Sequence, residues 1–246
     1  SERLHCGIQS SNVCVVLYGE GARLSCRGVM RALIFDMDDT LYDLSRHRRM
    51  HLARAWQSWL TMLTPERAAA VVEAAVSERI FFPDMAGFLF RHGVHEIDAR
   101  EKLIDASRET WFDDLTLDDG VAQLLDALAG HYRLGLITNG PTAIQQRKID
   151  RFGLTTWFSQ LTISQNFGVE KPHSRIFLHM VDALGAEVAD TVMVGDNPLA
   201  DIAGATGVGM RAVWIRHPHV IYPAELPTPW RTIDHVTALP GVLEQA

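Results

Sequence analysis

Ala32-Leu33-Ile34-Phe35-Asp36-Met37-Asp38-Asp39-Thr40-Leu41-Tyr42-Asp43 is the stretch of this 246-residue chain that decides its fold. Ala32 to Phe35 is a short apolar run that reads as a strand buried on both faces, as the strands of a parallel sheet are. Its sequel is the opposite: four carboxylates in eight positions, Asp36, Asp38, Asp39 and Asp43. Crowded like charges stay ionised most easily beside a cation, and hard oxygen donors favour Mg2+. In an isolated loop the same residues would read as a solvated acidic turn. Directly behind a buried strand, they stand where doubly wound α/β folds keep their ligand sites.

Outward from this stretch the pattern repeats. Further short apolar runs fall at Arg133 to Ile137, Gln160 to Ile163, Thr191 to Val194 and Arg211 to Ile215, with helical stretches at Gly120 to Ala129, Ala143 to Phe152, Ser174 to Leu184 and Pro198 to Thr206. Strands alternating with helices imply right-handed crossovers and an α/β fold with a parallel, Rossmann-like sheet. The first crossover is too long for one helix, because almost 100 residues separate the first two strands. Residues 44–113 read as mainly helical, at Arg46 to Leu63, Pro65 to Glu78 and Asp98 to Phe112. They are taken as a helical cap inserted into a catalytic core of residues 30–43 and 114–246. The cap aromatics Trp56, Trp59, Phe81, Phe82, Phe88, Phe90 and Trp111 read first as the interior of a small bundle, with Phe81 to Arg91 the first place to look for specificity. His47 and His51 read as cap surface, and Arg46, Arg48 and Arg49 as a solvated helix face whose alternative role is to meet substrate anions.

Composition narrows the function. With 47% hydrophobic and 22% charged residues and a formal charge of -7, the chain is neither disordered nor fibrous, and has no electrostatic reason to bind nucleic acid or an anionic membrane. The longest clearly apolar run near the N-terminus, Val13 to Tyr18, is far short of the roughly 20 residues of a membrane span. All three cysteines precede Met30, in an odd number without a disulfide spacing, which suits a reducing, cytoplasmic setting and excludes thiol chemistry from the rest of the chain. Residues 1–29 lack helical periodicity and are taken as a leader not needed for function, the other reading being an added strand or arm. Of 23 basic residues only Lys102, Lys148 and Lys171 are lysines, so each lysine invites a reason.

Three more strand ends carry chemistry. Ile137-Thr138-Asn139-Gly140 sets a hydroxyl ahead of a glycine turn, a donor set for an anionic oxygen and also an ordinary turn. Glu170-Lys171-Pro172 places a lysine just ahead of a helix start, against the dipole preference, as a compact point charge. Gly195-Asp196-Asn197-Pro198-Leu199-Ala200-Asp201 adds two carboxylates across a Pro-started helix; capping alone would account for Asp196 and leaves Asp201 unexplained.

Together these four motifs, in this order, resemble the haloacid dehalogenase superfamily, over Met30 to the C-terminus. The insertion after the first motif matches its helical C1-cap members, and Leu136-Ile137-Thr138-Asn139-Gly140 with Gln145 and Phe167-Gly168-Val169-Glu170-Lys171-Pro172 is similar to its pyrimidine nucleotidase and N-acylneuraminate-9-phosphatase type. The resemblance implies a three-layer sandwich with strand order 5-4-1-2-3. It implies that Asp36 attacks phosphorus to form an aspartyl phosphate and that Asp38 is the general acid and base. It implies Mg2+ on Asp36, the Asp38 carbonyl and Asp196, and phosphate bound by Thr138, Lys171, Asn139 and the main-chain N–H groups of Met37 and Asp39. Thr40, Asn197 and Asp201 would stand behind these, Asp201 orienting Lys171 or a metal-bound water. The expected substrate is a small phosphorylated metabolite, a nucleoside monophosphate or sugar phosphate. Asp38 argues against a haloacid dehalogenase, which needs no leaving-group acid. A phosphomutase of the beta-phosphoglucomutase type remains the enzyme alternative. A receiver-like phosphate-binding module fits less well, because its acidic pair is adjacent rather than spaced Asp-x-Asp. Oligomeric state is open.

Overall fold

The computed structural model describes residues 30–218 and 220–244, so the expected leader, residues 1–29, lies outside the described residues. Six strands, β1 (Ala32–Phe35), β2 (Arg133–Thr138), β3 (Gln160–Ile163), β4 (Thr191–Gly195), β5 (Arg211–Ile215) and β6 (Arg231–Ile233), form one sheet in the order β3-β2-β1-β4-β5-β6. Every neighbouring pair is parallel, and β1 lies between β2 and β4. The expected order is present with one strand added. Arg231–Ile233 is only three residues long and has a polar, half-open pattern, which is why no apolar run announces it.

Alternation within β1 explains the three layers. Ala32 and Ile34 point into one cluster, built with Ile176, Phe177 and Met180. Leu33 and Phe35 point into the other, built with Leu124, Leu125 and Ile149. The first face is covered by α9 (Ser174–Ala183) and the second by α6 (Val121–Ala129) and α7 (Thr142–Phe152). Gly135 lets α9 close on β2: a Cβ there would stand 2.6 Å from the Met180 sulfur.

Between β1 and α6 the chain makes five helices: α1 (Leu44–Ala55), α2 (Gln57–Leu60), α3 (Pro65–Ser77), α4 (Met85–Arg91) and α5 (Ile97–Thr110). They bury a cluster of their own around Leu52, Trp56, Val71, Ala75, Met85, Phe88 and Leu89. The expected helix from Arg46 to Leu63 breaks at Trp56, whose backbone leaves helical geometry while its indole N–H donates to the Ser107 hydroxyl at 3.0 Å and its ring stacks on Phe88.

Two expectations for α1 are overturned. His47 and His51 are buried rather than on the surface; their rings stack on each other and meet the Trp111 ring edge-on, and their Nε2 atoms lie 2.9 and 3.0 Å from the carbonyls of Trp111 and Ser107. Arg48 is buried too, although Arg46 and Arg49 lie outside and pair with Asp118 and Glu73. The remaining elements are α8 (Ser164–Phe167), a π-helical turn over Pro198–Ala203 that runs into α10 (Gly204–Gly207), and α11 (Leu239–Leu243).

Candidate active site

β1 delivers Asp36 to the middle of the sheet's carboxyl edge, where its backbone N–H still bonds the Val194 carbonyl at 2.9 Å. The chain then turns sharply, with the Met37 carbonyl accepting from Leu41 N–H at 3.0 Å and Asp39 in the left-handed region at φ 56°, a conformation Asp tolerates better than most residues. The four carboxylates of this stretch divide into three jobs. Asp39 accepts from the N–H groups of Leu44 and Ser45, and Asp43 from that of Arg46, so both cap the start of α1. Asp38 turns toward α7, and only Asp36 joins a carboxylate cluster.

That cluster is Asp36, Asp196 and Asp201, with one oxygen from each lying within 4.8 Å of the others. Asp196 follows the last residue of β4. Asp201 sits in the π-helical turn, whose start is capped by Asn197 through its side-chain oxygen to the N–H groups of Leu199 and Ala200. Gly195 makes room for it: a Cβ would meet the Asp201 carboxylate oxygen at 2.4 Å. Lys171 Nζ reaches the same place, 2.5 Å from Asp36 and 2.7 Å from Asp201. Burial alone would lower its pKa, but Asp201 and Asp36 together hold it above the ordinary lysine value. A buried ammonium between two carboxylates outweighs any cost of its position ahead of α9.

One lysine does not neutralise three carboxylates. Burial, with Asp201 and Asp38 nearby, pushes the Asp36 carboxyl up to about 7 in spite of Lys171. Burial, Asp201 and Asp36 also hold the Asp196 carboxyl well above the ordinary carboxylate range. Three converging carboxylate oxygens with surplus negative charge are a donor set that fits a hard divalent cation, which would favour their ionised forms. Of the expected ligands, Asp36 and Asp196 are in this cluster of side-chain oxygens, to which the expected main-chain carbonyl of Asp38 does not belong by kind, and Asp201, expected behind the ligands, joins it.

Asp38 has other partners. Lys148 Nζ lies 2.7 and 2.9 Å from its two oxygens, Gln145 Nε2 donates at 3.0 Å, and the Tyr42 hydroxyl donates as well. Burial works against ionisation there, and Lys148, Tyr42 and Gln145 overcome it, so the Asp38 pKa is lowered. Lys148 was not foreseen as a site residue. Its signal was present, since it is one of three lysines in an arginine-rich chain and stands on the helix following the Thr138 turn.

Two expected phosphate ligands are engaged elsewhere. Asn139 gives one side-chain N–H to the Lys171 carbonyl at 2.9 Å and takes the Lys171 N–H at 3.0 Å, a clamp that positions the lysine and leaves the second N–H of the amide over. Thr138 is 1% exposed, and its hydroxyl lies 2.5 Å from Gln145 Nε2. Met37 and Thr40 are buried, and the Thr40 hydroxyl has no hydrogen-bond partner among the described residues. Asp36, Asp38, Asp39, Asn139, Lys171, Asp196, Asn197 and Asp201 all border a cavity of about 250 Å³, together with Ser45, Arg48 and Arg79 from the inserted helices. Nothing of Phe81 to Arg91, where specificity was sought, borders it, because Phe81 and Phe82 pack on Trp111 and Phe88 lies in the insertion's own interior.

A family model described as a haloacid dehalogenase-like hydrolase matches residues 30–209. The chain is 28% identical over 235 residues to N-acylneuraminate-9-phosphatase of Rattus norvegicus, an alignment covering 87% of this chain and 94% of that one. It is 30% identical over 200 residues to glyceraldehyde 3-phosphate phosphatase of Pyrococcus abyssi, covering 77% and 82%. Among solved structures, a HAD-hydrolase of Bacillus subtilis crystallised with magnesium superposes with a TM-score of 0.70 at 22% identity, over 88% of this chain and all of that one. At that identity the likeness is one of fold.

Proposed function

This chain belongs to the haloacid dehalogenase-like hydrolase family, and on that premise we propose that it is a Mg2+-dependent phosphomonoesterase acting on a small phosphorylated metabolite, a nucleoside monophosphate or sugar phosphate. The observation that carries the reading is the meeting of Asp36, Lys171, Asp196 and Asp201 at one end of the sheet, with Asp38 bordering the same cavity. The phosphatase names of two relatives support the reaction class.

In this reading an Asp36 oxygen attacks phosphorus and expels the alkoxide, and the aspartyl phosphate divides one difficult displacement into two. Asp38, whose partners favour its ionised form, takes a proton from the water that cleaves the intermediate and returns that proton to the leaving oxygen of the next turnover. Lys171 faces the phosphoryl oxygens as a fixed positive charge, held by Asp201 and by the Asn139 clamp on its backbone. Asp36, Asp196 and Asp201 would hold the Mg2+, which when bound offsets the repulsion between a carboxylate nucleophile and a phosphate dianion. Residues 44–113 act as the cap, reaching the reacting end with Ser45, Arg48 and Arg79.

Purified enzyme should hydrolyse p-nitrophenyl phosphate, lose that activity in EDTA and regain it with Mg2+. Asp36→Asn should cost on the order of 10⁴-fold or more in kcat with the fold intact by circular dichroism. Full activity in Asp36→Asn, or in EDTA-treated protein, would overturn the reading.

A further inference from the structure

Two arginines face the cavity without the partners that insertion arginines such as Arg46, Arg49, Arg54 and Arg91 have. Each of those four pairs with a carboxylate, Asp118, Glu73, Asp114 and Glu78 respectively. Arg48, only 7% exposed, borders the cavity from α1, and its buried Nε has no hydrogen-bond partner among the described residues. Among the described residues no carboxylate lies within ion-pair distance of it. Asp39 and Asp38 attract it at longer range, and Arg79 disfavours its charge. Arg79 follows α3 in the left-handed region at φ 52°, exposed, and it too has no ion pair among the described residues.

A buried guanidinium next to a second one, each with donors to spare, is costly unless an anion joins them. The two border the cavity from residues 44–113, whereas Asp36, Asp196, Asp201 and Lys171 border it from the ends of the strands and the segments that follow them. Arg79 also stands at a seam. It and Ser45 border both the 250 Å³ cavity and a neighbouring one of about 620 Å³, whose further walls are Val76, Ser77, Val220, Ile221 and the Arg49–Glu73 ion pair. A leaving group of several carbons on a phosphate at Asp36 would find room in this second space if it extends past Arg79.

We infer that Arg48 and Arg79 form a second anion subsite, so that the preferred substrates are phosphate monoesters whose leaving group carries another anionic group, a carboxylate or a further phosphate. Guanidinium forks suit both, since each presents oxygen pairs. Arg79 selects at the mouth, and Arg48 completes the site inside.

The inference rests on the phosphomonoesterase reading, and p-nitrophenyl phosphate separates the two: without its turnover that reading fails first. Given turnover, kcat/KM is measured for matched pairs that differ in the second anion, 3-phosphoglycerate against glycerol 3-phosphate for a carboxylate and fructose 1,6-bisphosphate against fructose 6-phosphate for a phosphate. The anionic member of at least one pair should be preferred by about 10- to 100-fold, mostly through KM, and the pair that responds identifies the group. Arg79→Gln, at an exposed position, should bring that preference close to one. Arg48→Lys, which keeps the charge and loses the fork, should reduce it partly. Equal use of both members in both pairs, or an equal loss for both members in Arg79→Gln, would overturn the subsite.

Discussion

Lys148 shows how far a single residue can carry the site. It is buried on α7, pairs with both oxygens of Asp38, and brings a charge from one face of the sheet to the end of β1. Lys148→Met should lower stability by about 2 kcal/mol in urea denaturation, less than the roughly 3–5 kcal/mol for breaking a fully enclosed pair because the Asp38 side chain keeps some exposure. Gly195→Ala is a sharper probe of the carboxylate cluster, since the new methyl would displace the Asp201 carboxylate. Its expected cost is about 1–3 kcal/mol of stability, with a clear rise in the Mg2+ concentration giving half-maximal activity. At this scale the sequence was readable where a residue's role is set by its own strand. Asp36 and Asp196 announce themselves as acids at the ends of apolar runs, whereas Lys148, Arg48 and Arg79 meet the site only because helices are folded over it. The composition flagged Lys148 as one of few lysines, but nothing in its spacing named Asp38 as its partner, 110 positions away.

Among the elements, α1 is where reading and structure part most. Its mean hydropathy is low and its apolar spacing poor, so its histidines pass for surface, yet it packs against both α3 and α5. His47 and His51 are held to carbonyls of the segment 107–111 and against Trp111, with Asp114, Arg54, Arg48 and Lys148 near enough to influence them. Burial and the neighbouring His47 bring the His51 pKa down to about 4. The unfolded chain, with an ordinary histidine near 6.5, then binds more protons than the folded one between those values, so stability is full above about pH 6.5 and declines as pH falls toward 4. His51→Gln should flatten that decline, and thermal melts of both proteins at pH 7 and pH 5 would measure it; parallel curves would refute the assignment. The strands, by contrast, were legible almost to the residue, because β1, β4 and β5 must be apolar on both faces. β6, at the edge, has no such requirement.

At the scale of the molecule, Phe88 and most buried residues of the insertion form a cluster apart from the two of the sheet, although Trp111 and Phe112 join one of the sheet's. Phe88→Ala should therefore cost about 3–5 kcal/mol and appear in hydrogen exchange as faster opening of α3, α4 and α5, with β1 and β4 still protected. Uniform acceleration across the sheet would show one cooperative unit instead. None of the described helices is long and apolar enough to cross a membrane. The order of the strands has a further consequence, for the chain while it is being made. Of the described strands β1 leaves the ribosome first, but it lies between β2 and β4, and β4 follows it by about 150 residues. At a synthesis rate of roughly 5–20 residues per second, one hydrogen-bonding edge of an apolar strand waits about 8–30 s for its partner. The aspartates directly after Phe35 put negative charge at the end of that waiting strand, a charge that would oppose the pairing of two nascent chains along β1.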